Sequence, residues 1–264
     1  MSDLHGRVAV ITGAGRGIGR TIAHVLAQKG LTLGVNDVNP VLIESVVNEF
    51  RAEGLAAIGL PGDVSSKADA SAVIEKAEAE LGPLWLLVNN AGVLNASPTA
   101  ELSEEAWDTA MAVDAKGVFL CSQAAIKKMI PRGQGRIVNV GSIAGLIVRT
   151  SQIAYCSAKA AVIHFSRCLA VEMAPHGITV NCLCPGMTRT QMLSQSAIER
   201  GLDLAAMVEL IPAGHMAEEE DHAHLVAYFA SDEAKHVTGQ VVTVDGAQSL
   251  YHPLMPKVVV RPPA

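Results

Sequence analysis

Aromatic residues supply only 3% of the 264 residues, so any core this chain builds must be aliphatic. Hydrophobic residues still reach 50% against 17% charged, a balance that excludes disorder and suits a large globular interior. Positive charge is not in excess. The net charge is -6, which leaves no basic footprint for a phosphate backbone and argues against a nucleic-acid partner. No apolar run approaches the ~18 residues that cross a bilayer. The opening Met1-Ser2-Asp3-Leu4-His5 has no basic stretch leading into an apolar one. A soluble, cytoplasmic protein without a membrane partner is expected. Cysteine is scarce as well: Cys121, Cys156, Cys168, Cys182 and Cys184 are odd in number and show no C-x-x-C spacing. That pattern excludes a disulfide framework and a zinc ribbon and fits free thiols in a reducing compartment. Cys182 and Cys184 fall on one face of a strand, as two small buried hydrophobes.

What is present alternates. Short runs rich in Val, Ile and Leu recur at 7–12, 31–37, 55–63, 84–90, 135–142, 178–186 and 240–246, with longer amphipathic stretches between them. Near-continuous apolarity means strands covered on both faces, and helical connections mean parallel pairing. The expected fold is α/β, a doubly wound parallel seven-stranded sheet of the Rossmann-like kind in a single domain over residues 1–250. Ser65, Ser66, Ser103, Glu104 and Glu105 mark helix starts, and Gly30, Gly54, Gly82 and Gly177 mark stops. Residues 251–264 read as a C-terminal tail, since their four prolines oppose a further helix or central strand.

The stretch TGAGRGIG at 12–19 follows the first strand and opens a helix. Gly13, Gly17 and Gly19, around Arg16 and Ile18, permit a tight turn and a close backbone approach. Free N–H groups at the helix start attract a pyrophosphate. The spacing is GxxxGxG, not the GxGxxG of many dinucleotide sites. Asp37, closing the second strand, can accept hydrogen bonds from both hydroxyls of an adenosine ribose and repels a 2'-phosphate, which favours NAD. Arg16 is the opposing feature, since a guanidinium there can pair with that phosphate.

TGAGRGIG, Asp63-Val64, Asn89-Asn90-Ala91-Gly92, Ser142, the Tyr155/Lys159 pair and Pro185-Gly186 occur in order. With them, residues 6 to 246 resemble the short-chain dehydrogenase/reductase family. The resemblance implies that Asp63 and Val64 contact the adenine and that Asn90, Ala91 and Gly92 stand beside the cofactor. It also implies that Pro185, Gly186 and Thr188 lie near the nicotinamide, that Lys159 holds the nicotinamide ribose, and that the protein is a homotetramer through helices in 103–130 and 153–175.

Tyr155 and Lys159 are four apart on a helix and share a face. A free phenol titrates near ~10. An ammonium and a cationic nicotinamide favour the phenolate, so a lowered pKa is expected, with Tyr155 taking a proton from an alcohol or returning it to a ketone. Ser142 can hold the substrate oxygen. Residue 114 is Asp where the family usually has the Asn that completes a tetrad, so Asp114 is expected as an altered fourth catalytic member. The substrate is expected to be a small-molecule alcohol or ketone, with Arg149 a candidate for binding a carboxylate and no metal involved. Leu94, Asn95, Ile147 and Met192 are weaker pocket candidates. An NADPH-dependent ketoreductase and a catalytically idle dinucleotide-binding sensor are the alternatives. Arg132 and Arg136 read as a solvated loop, His215, His222, His224 and His236 as surface residues, and Glu218 to Asp221 as an acidic helix start.

Overall fold

The computed structural model describes residues 4–252. The tail expected over 251–264 therefore lies outside the described residues, apart from Tyr251 and His252. Seven strands form one sheet: β1 Val8–Ile11, β2 Thr32–Asp37, β3 Ala57–Pro61, β4 Leu84–Asn89, β5 Gly135–Val140, β6 Ile178–Pro185 and β7 Val241–Val244. Their order is β3-β2-β1-β4-β5-β6-β7, and every pairing is parallel. The doubly wound Rossmann-like sheet expected from the apolar runs is the fold observed.

Alternate side chains of each strand enter different cores. Ala9, Ile11, Leu33, Val35, Leu86 and Val88 pack with α1 (Gly17–Gln28), α2 (Pro40–Ala52) and α9 (Glu219–Ala230). Val8, Val10, Leu84, Leu87, Ile137 and Val180 pack with α3 (Lys67–Leu81), α5 (Gly117–Met129) and α6 (Ile153–Met173). Burial on both faces explains why β1, β4, β5 and β6 are buried at every position. The helix punctuation also holds. The hydroxyl of Ser66 accepts the Asp69 N–H at 3.3 Å to start α3, and Gly82 ends it at φ +101°, a conformation that favours glycine. Ser103 likewise caps α4 (Glu104–Ala110), accepting from Ala106 at 3.2 Å.

Two arginines expected in a solvated loop are placed differently. Arg136 is not in a solvated loop but within β5, 4% exposed, with its guanidinium 4.4 Å from the centre of the Trp85 ring, which carries Arg7 at 4.0 Å. Stacking on an indole lets the weakly hydrated guanidinium leave water. Arg132 is half-buried in a two-pronged pair with Glu78 at 2.8 and 2.9 Å. The acidic start of α9 is as expected. Glu218 is its cap, and Asp221 accepts the Glu218 N–H at 2.9 Å.

The strand order reverses between β1 and β4, and connections leave their carboxyl ends in opposite directions. A crevice opens there. Residues 191–208 roof it with α7 (Gln191–Arg200) and α8 (Leu204–Val208), held by a small apolar cluster of Met187, Ile211 and Met216.

Candidate active site

A cleft of about 640 Å³ runs along the carboxyl ends of β1, β2, β4, β5 and β6. Such a volume is ample for a cofactor and a small substrate. Gly13, Arg16, Gly17, Ile18, Gly19 and Asp37 line one end, with Asp63 and Val64 alongside. Asn90, Ala91, Gly92, Ser142, Arg149, Tyr155, Lys159, Pro185, Gly186 and Thr188 line the rest. Of the residues expected to act in catalysis or to hold the cofactor, Asp114 alone is not part of the wall.

The glycine turn is packed tightly against its neighbours. A Cβ on Gly13, at φ +61°, would stand 2.7 Å from Ala91 Cα, and one on Gly19 would strike the Gly13 carbonyl and the Asn90 amide. Asn90 Nδ2 donates to the carbonyls of Thr12 and Gly13 at 3.0 and 3.1 Å, tying the turn to the end of β4. Helix α1 starts at Arg16 with no side-chain cap, so its first N–H groups remain available at the cleft. Asp37 accepts from the Gly15 N–H at 3.1 Å and the Asn39 N–H at 3.0 Å, fixing its carboxylate at the end of β2. A bare helix start, glycines that leave the backbone open and a fixed acceptor beyond them fit a dinucleotide.

Ser142, Tyr155 and Lys159 converge on the opposite wall. Ser142 follows β5, and its Oγ accepts the Ala144 N–H at 3.1 Å, which leaves its proton for another acceptor. Lys159 is 3% exposed, donates to the Val140 carbonyl at 3.1 Å and has its Nζ 5.6 Å from the centre of the Tyr155 ring. Asp114 sits behind them in a π-helical turn, Met111–Lys116, fully buried. One oxygen accepts the Val93 N–H at 2.8 Å, while Oδ2 has no hydrogen-bond partner. A Cβ on Gly92 would lie 3.0 Å from Asp114 Oδ1 and 3.3 Å from Lys159 Nζ, so the glycine gives these two groups room on the same side of the main chain.

The electrostatics correct one expectation. Burial pushes the Tyr155 phenol above its ordinary pKa; Lys159 and Ser142 pull it down and Asp114 pushes it up further. Desolvation thus outweighs the neighbouring ammonium. Burial also raises the Asp114 carboxyl, against the pull of Lys159 and the Val93 N–H. For Lys159 burial opposes the charge, but Asp114 and Tyr155 more than compensate and its pKa is raised.

Leu94 and Met192 line the cleft, whereas Asn95 and Ile147 do not. Met187, Leu193, Leu202 and Met207 join them as an apolar roof, within the segment of residues 187–212 that the family resemblance places beside the substrate. His222 is the clearest omission. Expected on the surface, it is fully buried, its Nε2 2.7 Å from Thr188 Oγ1. Its place three residues after Glu219 on α9 gave no hint, because the partner is 34 positions away. Among the described residues no group of three His, Cys, Asp or Glu is placed to hold a metal, and no helix is long and apolar enough to cross a membrane.

A parallel sheet with a glycine turn, a fixed carboxylate at the end of β2 and a Ser-Tyr-Lys wall fits a nicotinamide-dependent oxidoreductase. The family model for short chain dehydrogenase matches residues 7–200. The chain is 38% identical to the 2,3-dihydro-2,3-dihydroxybenzoate dehydrogenase of Bacillus subtilis over 94% of its length and 97% of that protein's. It is 36% identical to 2-(S)-hydroxypropyl-CoM dehydrogenase 3 of Xanthobacter autotrophicus, over 93% and 98%. Among solved structures, a variant of actinorhodin polyketide ketoreductase with NADPH superposes with a TM-score of 0.89 at 32% identity, covering 93% of this chain and 98% of that one. The protein belongs to the short-chain dehydrogenase/reductase family, whose members work with a nicotinamide dinucleotide.

Proposed function

We propose that the protein is an NAD-dependent oxidoreductase interconverting a secondary alcohol and a ketone, with Tyr155 as the acid-base group. The observation that carries this reading is the shared cleft. Ser142, Tyr155 and Lys159 line the same cavity as the glycine turn and Asp37. When bound, the nicotinamide supplies the two-electron chemistry, accepting or returning hydride at the carbinol carbon. This chain's residues manage the proton. Ser142 orients the substrate oxygen, Tyr155 Oη takes the hydroxyl proton as the carbonyl forms, and Lys159 favours the phenolate by its charge. Because burial holds the phenol high, oxidation should rise toward alkaline pH.

Asp37 supports NAD, since its carboxylate would meet a 2'-phosphate as a desolvated like charge. Asp37→Asn keeps an acceptor for Gly15 and removes that charge. The ratio of kcat/KM for NADP to that for NAD is expected to rise by about 30-fold, consistent with a few kcal/mol of lost repulsion. An unchanged ratio, or a wild type that prefers NADP, favours instead an NADPH-dependent ketoreductase in which Arg16 holds the phosphate.

Arg149 lines the cleft, as do the apolar Met192 and Leu193. We assign it to an anionic group of the substrate. Arg149→Ala should raise KM about tenfold for alcohols bearing a carboxylate and leave neutral ones within about twofold. Equal effects on both would remove it from recognition. Five free thiols favour a reducing, cytoplasmic compartment. A homotetramer through α5 and α6 is supported by Phe119 and Ile153, which both helices leave exposed.

A further inference from the structure

We propose that His222 is a positioning residue for the cofactor. Through its bond to Thr188 it turns that hydroxyl into a pure acceptor at the nicotinamide end of the cleft, where it receives the carboxamide N–H of the dinucleotide. The inference rests on the dinucleotide reading of the cleft and concerns a residue outside its wall.

The argument is an accounting of protons. Thr188 Oγ1 has two polar neighbours, the Gly186 carbonyl at 3.0 Å and His222 Nε2 at 2.7 Å. A hydroxyl has one proton and two acceptor sites. If the proton went to His222, Nε2 would be bare and the ring's own proton would sit on Nδ1, a buried donor with no partner. The Gly186 and Thr188 oxygens would also face each other at 3.0 Å with no proton between them. Orphaned buried N–H groups are rarer than orphaned acceptors. The proton therefore goes to Gly186, Nε2–H donates to Thr188, and the unpartnered atom is the bare Nδ1. Burial drives the His222 pKa down to about 4, so the ring is neutral and carries one proton. Thr188 then has a single lone pair left, and Thr188 lines the cleft next to Gly186. It can accept but not donate. A primary amide presents both a donor and an acceptor edge, so an accept-only hydroxyl selects one of its two orientations.

The main chain around Thr188 is held independently of His222. The Ala217 N–H donates to the Met187 carbonyl at 3.0 Å, and the Arg189 N–H donates to the Ala217 carbonyl at 3.0 Å. Gln248 Oε1 accepts the Met187 N–H at 3.2 Å. Removing the imidazole should therefore release the hydroxyl rotor without releasing the segment. A buried imidazole with one bare nitrogen adds nothing to packing that an aliphatic side chain would not. Its role and its stability cost can be separated on that basis.

The test is direct binding of NADH and NADPH to the intact protein by calorimetry, with thermal unfolding of each ligand-free variant. His222→Leu and His222→Asn both lose the bond to Thr188, the second while keeping a polar group. His222→Gln places an amide donor where Nε2 stands. The dissociation constant of the preferred dinucleotide should rise about fivefold in the first two, as for the loss of one hydrogen bond, and stay within about twofold of wild type in His222→Gln. The melting temperature of His222→Leu should be equal to or above that of wild type. In a Thr188→Val background, His222→Leu should add nothing. If His222→Leu does not fold, the comparison of His222→Asn with His222→Gln decides the matter. Wild-type affinity in both Leu and Asn variants, or the same loss with Thr188 already removed, overturns the inference while leaving the dinucleotide reading standing. A wild-type protein that binds neither nucleotide overturns both.

Discussion

Tyr155→Phe should lower kcat/KM for alcohol oxidation by about 10³-fold while leaving the dinucleotide dissociation constant within about threefold of wild type. The substitution removes one oxygen and keeps the ring. The ring's face toward Lys159, its Nζ 5.6 Å from the centroid, is retained, as is the bond from Lys159 to the Val140 carbonyl. Cofactor binding, proposed to draw on the glycine turn and Asp37 at the far end of the cleft, has no reason to change. What is lost is the phenol oxygen proposed to accept the hydroxyl proton. Steady-state kinetics together with a binding isotherm read the two quantities separately. A variant retaining a tenth or more of the activity would take the proton-transfer role away from Tyr155.

Asp114→Asn should stabilise the protein and move the rising limb of its oxidation pH profile to lower pH. The Asp114 carboxyl is fully buried with one oxygen unpartnered, and burial outweighs the attraction of Lys159. Its pKa is therefore raised in the folded state. A raised carboxyl pKa means that the fold binds this proton more tightly than the unfolded chain does. Stability then falls as pH rises from the unfolded pKa through the folded one. The amide removes that loss and still accepts the Val93 N–H. Relief of a poorly solvated charge of about 1–3 kcal/mol corresponds to a melting temperature higher by roughly 4 °C at neutral pH. The same negative charge raises the Tyr155 pKa, so its removal makes the phenolate available earlier. Thermal unfolding across pH and kcat/KM across pH both report. A lower melting temperature, or a limb displaced toward alkaline pH, would mean that Asp114 acts in some way other than through its charge.

The parts of this site that could be read in the sequence are those written in local spacing. Gly13, Gly17 and Gly19 occur where a strand becomes a helix, Tyr155 and Lys159 fall one helical turn apart, and the seven apolar runs are the seven strands. What escaped depends on groups far apart in the chain. His222 looked like one of several surface histidines because nothing near it names Thr188. Arg136 looked solvated because the ring that covers it, Trp85, belongs to a different strand. For Tyr155 the sequence shows the ammonium of Lys159 four residues away, which lowers the phenol pKa, but not the desolvation by the surrounding wall that outweighs it. Asp114 departs from the family's Asn in the sequence, yet its unpartnered oxygen becomes apparent only once Gly92 and Val93 are folded against it.

The central claim is that this cleft oxidises a secondary alcohol with NAD. The direct measurement is NADH formation by the wild-type protein across a panel of secondary alcohols, neutral and carboxylate-bearing, at mildly alkaline pH, with NADP run in parallel. NADH formation with at least one alcohol, faster with NAD than with NADP and increasing with pH, is the predicted result. Tight binding of NADH with no turnover of any alcohol, and no reduction of the matching ketones, would contradict it and would point to a dinucleotide-binding sensor.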